Sequence, residues 1–230
     1  MDFAIERNVK KFIFISTDMV YGVPKYLPID EKHPTNPVGP YWLSKLKAEN
    51  IINIYTQNFW LNSLIIRPRL IIWKWRWWVI EKLLKLFKYN LPVPLFWDGK
   101  NHYQMINLKD LNEFIILSIQ KDIRWIVNIW SEKTDSFENL YKILKKWLNS
   151  RSLIFKTNHS LNKVIFWFLD KIWFPLLYKE QYEIADKHYI LDISLAKQYG
   201  WFPKISDKQS ILEIISQDNE FRSKENNSKK

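Results

Sequence analysis

The sequence predicts an α/β protein with a parallel sheet, on three observations. Residues 11–16 (Lys11-Phe12-Ile13-Phe14-Ile15-Ser16) and 62–67 are compact apolar runs, the mark of strands buried on both faces. Between them, residues 41–58 carry a helical pattern. Strand, loop, helix, strand is the order of a βαβ unit, whose two strands run parallel. The 230 residues, 47% hydrophobic, suffice to bury one such core, alone or with a small lobe.

Taken in order, residues 2–8 read as the end of a helix, and 11–16 as the first strand. A polar loop rich in proline follows (Pro24, Pro28, Pro34, Pro37, Pro40), then the helix over 41–58 and the strand 62–67, which Pro68 stops. Further on, the pattern predicts a helix over 77–89, strands near 93–96 and 102–107, a helix over 108–120 and a strand at 125–130. Asp135 or Ser136 caps a helix running to about residue 148, with Glu138 in its first turn. Beyond it come a strand near 152–156, helices near 160–173 and 180–186, a strand at 188–192, and helices near 194–199 and 207–217. Residues 219–230 are polar and charged, and disorder is expected there.

Composition narrows the functional classes. With no cysteine there is no disulfide framework and no thiolate metal site, which fits a reducing cytoplasm, the expected location. His33, His102, His159 and His188 are scattered and none pairs at ligand spacing, so no metal is expected. The net charge of +11 is spread over lysines standing singly on helical faces, with no basic stripe interleaved with aromatics, and argues against a nucleic-acid partner. Residues 1–8 carry Asp2, Glu6 and Arg7 and no apolar run, so no secretory signal is read there. The apolar stretch 164–178 is interrupted by Asp170, Lys171 and Pro175, short of the ~20 residues a membrane span requires.

The chemistry centres on Tyr41 and Lys45, four positions apart on a predicted helix and therefore on one face. An ammonium beside a phenol favours the phenolate and turns a poor base into a usable one. Spacing alone is weak, because Tyr21/Lys25 and Tyr141/Lys145 repeat it. Tyr21/Lys25 spans Gly22 and Pro24 and cannot be helical, and Tyr141/Lys145 follows no hydroxyl-bearing strand end. Tyr41 has such a context: Ser16-Thr17-Asp18-Met19-Val20-Tyr21-Gly22 closes the first strand, and Pro40-Tyr41-Trp42-Leu43-Ser44-Lys45 opens the helix.

These motifs resemble the extended short-chain dehydrogenase/reductase family, the NAD-dependent epimerases and dehydratases. The likeness continues through Arg67-Pro68, Asp98-Gly99, Ile106-Asn107-Leu108-Lys109-Asp110-Leu111 and Tyr199-Gly200-Trp201-Phe202-Pro203. It implies the C-terminal part of a Rossmann-like doubly wound parallel sheet with a small mixed α/β substrate lobe. Residues 1–218 would form a partial NAD(P)-binding domain, with a catalytic βαβ unit over 9–70 and the lobe interleaved from about 71. The resemblance implies hydride exchange between NAD or NADP and a hydroxyl-bearing carbon, on a nucleotide-sugar. Tyr41 would be the acid/base, Lys45 would hold the nicotinamide ribose, and Thr17 would bond the reacting oxygen. Ser16, Arg67 and Pro68 would complete the cofactor contacts, and Asp18, Arg69, Lys74 and Arg76 would join Thr17 at the substrate. A homodimer through a bundle containing the Tyr41 helix, or a separately encoded N-terminal half, would be the protein partner. A hydroxysteroid-type alcohol dehydrogenase and a non-catalytic remnant are the alternatives.

The sequence departs from that pattern in three ways. It contains no Gly-x-x-Gly-x-x-Gly turn, the element that brings backbone N–H groups to a pyrophosphate, so little or no dinucleotide binding is expected from it unaided. Asp18 is followed by Met19 where dehydratases of the family have a glutamate, and Leu70 and Tyr103 stand where many epimerases have asparagine and arginine. Finally, there are thirteen tryptophans and only four glycines: the resemblance implies glycine at positions 42, 73, 75 and 97 and makes it plausible at 60, 125 and 130, while Trp201 alone stands where the family also has tryptophan. Loop glycines serve left-handed backbone or close packing, which an indole tolerates badly. The expectation is that most of these codons are UGA, read as glycine in the source.

Overall fold

The computed structural model describes residues 1–73, 78–96, 99–100, 102, 104–132, 135–157 and 189–217. In chain order the first elements are α1 (Asp2–Glu6), β1 (Phe12–Ile15), a 3₁₀ turn (Asp18–Tyr21), α2 (Pro40–Phe59), β2 (Ser63–Pro68) and β3 (Leu70–Ile72). They are followed by α3 (Trp78–Lys88), β4 (Val93–Phe96), β5 (Met105–Asn107), α4 (Leu108–Gln120) and β6 (Trp125–Ile129). The series continues with α5 (Phe137–Trp147), β7 (Ile154–Thr157), α6 (Ser194–Gln198) and α7 (Asp207–Gln217).

The chain divides into two compact units. One comprises Met1–Ile71, Gln104–Glu132 and Tyr189–Ile205. Its sheet has the order β1-β2-β6, with both pairings parallel: Phe12 lies opposite Ser63 and Ile15 opposite Ile66, while Leu64 pairs with Trp125 and Pro68 with Ile129. The central strand β2 is buried along its whole length, which is why it tolerates so continuous an apolar run. At the sheet edge, β1 is only half-buried. Helix α2 starts where Gly39 is extended and Pro40 occupies the first turn, a position that needs no N–H donor. Asn107 starts α4 by accepting the Lys109 N–H at 2.9 Å.

The second unit comprises Ile72–Tyr103, Lys133–His188 and Ser206–Lys230. Here β4 and β7 pair in parallel from Val93 opposite Ile154 to Phe96 opposite Thr157. Leu84 and Phe87 of α3 and Tyr141 and Leu144 of α5 are buried, with the Phe87 and Tyr141 rings edge to face at 5.9 Å. Ser136 caps α5 through its hydroxyl, which accepts the Asn139 N–H at 3.2 Å.

Two expectations need correction. The strand expected at 188–192 is a single bridge between Ile29 and Leu191, because only one residue of the proline-rich loop lies in register to receive it. Of the strand expected over 102–107, Met105–Asn107 is strand and His102 makes an isolated bridge with Ser136, while residue 103 lies outside the described residues. Strand β3, three residues long, went unforeseen, and it forms a two-stranded sheet with β5. The helices expected over 160–173 and 180–186 and the tail 219–230 lie outside the described residues. Among the described residues no helix is long and apolar enough to cross a membrane.

Candidate active site

The described candidate residues stand at the carboxyl ends of β1 and β2 and in the first turns of α2. Lys45 is the link. Its Nζ donates to the carbonyl of Ile15, the last residue of β1, at 2.9 Å. The same ammonium lies 4.8 Å from the Phe14 ring centroid and 5.9 Å from that of Tyr41. A cation placed against two π faces and a strand-end carbonyl has little rotational freedom left. Tyr41, one turn earlier, is 58% exposed. The other two tyrosines with the same spacing to lysine are buried. Tyr21 donates to Asn128 Oδ1 at 2.8 Å, and burial pushes its phenol up to about 12. Tyr141 is enclosed beside Phe87 and Phe137. Of the three, only Tyr41 presents its hydroxyl-bearing ring to solvent.

Thr17 follows β1 by two residues, in extended conformation, and caps the 3₁₀ turn by accepting the Met19 N–H at 3.2 Å. Its hydroxyl proton points to Asp18 Oδ1 at 3.2 Å. Asp18 is itself buried and forms an ion pair with Arg69. Burial raises the Asp18 carboxyl above its ordinary range, while Arg69 opposes the rise. The Arg69 guanidinium also lies 4.2 Å over the Tyr189 ring, and the Tyr189 hydroxyl donates to the Asp18 carbonyl at 2.8 Å. Asp18 and Arg69, expected at the substrate, carry each other's counter-charge, which an aspartate this deeply buried needs. Lys74 and Arg76 lie outside the described residues.

Arg67 and Pro68 end β2. Arg67 is 3% exposed and grips Glu49 of α2 with two bonds, Nε at 3.1 Å and Nη2 at 2.5 Å. Its guanidinium sits 4.6 Å from the Tyr21 ring centroid. Beyond Tyr21, Asn128 donates its amide to Ile29 O at 3.2 Å and its backbone N–H to Glu31 at 2.8 Å. Through these bonds the Arg67 side chain joins helix α2 to the sheet. Sequence reasoning missed Glu49, Tyr21, Asn128 and Tyr189 as supports. A faint signal existed for Glu49, which lies four residues after Lys45 and so shares its side of the helix.

Among the described residues, two polar atoms at this end of the sheet are buried without a hydrogen-bond partner, Ser16 Oγ and Arg67 Nη1. They belong to neighbouring strands, since the Ser16 N–H donates to Ile66 O at 2.8 Å. Unsatisfied buried polar groups are rare enough to call for a missing partner.

The chain is similar to known proteins over most of its length. The sequence profile of the NAD dependent epimerase/dehydratase family matches residues 1–129. A Methanocaldococcus jannaschii protein provisionally named UDP-glucose 4-epimerase is 27% identical over 219 residues, covering 91% of this chain and 63% of the relative. Human dTDP-D-glucose 4,6-dehydratase is 24% identical, over 92% of this chain and 57% of its own length. Among solved structures, the Thermotoga maritima UDP-glucose 4-epimerase with UDP-glucose superposes with a TM-score of 0.69 at 21% identity, over 91% of this chain and 63% of that one. The Streptomyces venezuelae dTDP-glucose 4,6-dehydratase gives 0.70 at 23% identity, over 96% and 64%. The chain thus spans under two thirds of the length of these relatives. On the match of the family profile, which takes in β1, β2 and the Tyr41 helix, the chain belongs to the NAD dependent epimerase/dehydratase family.

Proposed function

We propose that this chain carries the proton-transfer half of an NAD(P)-dependent epimerase or oxidoreductase acting on a nucleotide-linked sugar. The observation that carries the reading is the Lys45 ammonium, fixed between the Ile15 carbonyl and the ring of an exposed Tyr41. In this reading Tyr41 takes the proton from a substrate hydroxyl and returns it, with the Lys45 ammonium held one turn away. Thr17 already donates to Asp18 and accepts from Met19, so its remaining lone pair accepts from the same hydroxyl and holds it toward Tyr41. The Arg69–Asp18 pair keeps the Thr17 proton turned away from the substrate. Arg67, committed to Glu49, holds α2 and hence Tyr41 at the strand ends.

The residues present fit the nicotinamide end of a dinucleotide. Ser16 Oγ supplies a buried, unpartnered hydroxyl, and Lys45 a cation for ribose oxygens. A bound nicotinamide supplies the hydride acceptor, chemistry that no side chain here provides. The pyrophosphate end has no counterpart in the sequence, which lacks a Gly-x-x-Gly-x-x-Gly turn. The substrate class rests on the relatives, one of which was solved with UDP-glucose.

The test uses two proteins, this chain alone and this chain fused to a βα segment that carries a Gly-x-x-Gly-x-x-Gly turn. With NAD and a mixture of UDP-glucose and UDP-galactose, the chain alone is expected to be silent and the fusion to interconvert them. Tyr41→Phe in the fusion should lower kcat by ~10²–10⁴, the usual share of a general acid/base. A Tyr41→Phe fusion that turns over as fast as its parent rules out the assignment.

A further inference from the structure

We infer that positions 60 and 125 are glycine in the protein as its own host makes it, their codons being read there as glycine and rendered here as tryptophan. The backbone carries this, independently of the catalytic reading. Among the described residues, left-handed φ values occur at Gly22, Gly99 and Gly200, at Asn8, Asn90, Asp122 and Asn149, and at Trp60 (56°) and Trp125 (75°). Glycine enters this region freely, and asparagine and aspartate are the side chains that tolerate it best. Tryptophan has no such licence. Yet it is the only other residue type found there among the described residues.

The helix ends make the case sharper. Just past the ends of α1, α3, α4, α5 and α6 stand Asn8, Asn90, Asp122, Asn149 and Gly200, each left-handed. In all five the next N–H reaches back to the carbonyl five residues earlier: Val9 to Ala4, Leu91 to Leu86, Ile123 to Ser118 and Ser150 to Lys145, each at 2.9 Å, and Trp201 to Ala196 at 3.1 Å. That is the closure a left-handed cap permits. Helix α2 ends on left-handed Trp60 instead, and there the Leu61 N–H reaches six residues back, to Tyr55 at 3.4 Å. The turn has the form of a glycine cap and the poorest closure of the six. Packing does not explain the choice, since Trp60 is 90% and Trp125 is 60% exposed.

Composition points the same way. Four glycines in 230 residues is far below the ~7% of ordinary usage, about 16 residues, and the thirteen tryptophans make up the shortfall. Trp201 serves as an internal contrast: it is buried, it donates from Nε1 to Asp110 O at 3.2 Å and it packs edge to face on Phe114 at 5.5 Å. Its indole is used, and its codon should be an ordinary tryptophan codon.

The gene and the native protein decide the matter. UGA at codons 60 and 125 with UGG at codon 201, and native peptides whose masses carry glycine at 60 and 125, are the expected results. UGG at codon 60 or codon 125, or native peptides bearing tryptophan at either place, overturns the inference. A second measurement tests the backbone argument on the recombinant chain: Trp60→Gly and Trp125→Gly should each raise Tm, whereas Trp201→Gly should lower it. A fall in Tm for Trp60→Gly or Trp125→Gly likewise overturns it.

Discussion

Arg67 illustrates how the site is held at the level of single residues. A guanidinium 3% exposed must be paired, and Glu49, eighteen positions away on α2, is its partner through two bonds. Removing one member of a buried pair leaves the other charged and unsolvated, which costs about 3–5 kcal/mol. Glu49→Ala should therefore lower unfolding stability by about that much in a denaturant titration, and it should weaken catalysis in the fusion by loosening α2. The neighbouring Tyr21 gives a pH signature. Burial raises its phenol to about 12, so the folded state keeps a proton that the unfolded chain releases near pH 10. Protons bound in excess by the folded state mean that stability falls as pH rises. The contribution is complete below pH 10 and is lost between pH 10 and about 12. Tyr189 is raised by burial in the same sense. Tyr21→Phe should thus flatten the alkaline decline of Tm in part, and an unchanged slope would contradict the burial argument.

At the scale of elements, Asp110 shows how one side chain fastens a distant segment. From the first turn of α4 its carboxylate accepts the backbone N–H groups of Lys204 (3.2 Å) and Ile205 (3.0 Å), while its carbonyl accepts the Trp201 indole. Hydrogen bonds to a charged group contribute about 1.5–3 kcal/mol each. Asp110→Ala should therefore speed amide exchange at Lys204 and Ile205 well before it affects β2. The elements legible in the sequence were those with local signals. The apolar period over 108–120 gave α4 its observed bounds, and the apolar runs gave β1 and β2. Strand β3 was not legible because three residues carry no period, and the strand expected at 188–192 failed because strand propensity does not say whether a neighbour lies in register. At the site, Tyr41 and Lys45 were singled out by the motifs around them, since helical spacing alone did not separate them from Tyr21/Lys25 and Tyr141/Lys145. The Asp18–Arg69 and Glu49–Arg67 pairs were not, since each joins residues that only the crossing of β1, α2 and β2 brings together.

At the scale of the whole molecule, two exposed surfaces favour association and the net charge opposes it. Among the described residues β1 pairs only with β2, so its other edge is that of an apolar, half-buried strand on which the Ile15 carbonyl is taken by Lys45. Helix α2 exposes Leu43, Ile51 and Ile54, with Phe59 and Trp60 at its end. Against these stands a charge of +11, which repels like molecules. Repulsion between solvent-exposed charges is screened within about 8 Å at physiological ionic strength, whereas burial of apolar area is not weakened by salt. The balance should therefore tip toward association as salt is added. Sedimentation or light scattering of the chain is expected to give a weight-average mass above the monomer, rising with both protein and salt concentration. Ile51→Lys with Ile54→Lys, adjacent on one helix face, should lower that mass if α2 is the contact, and should leave it unchanged if the β1 edge is. A monomer that stays monodisperse from low to high salt would show that neither surface is sticky enough to overcome the charge.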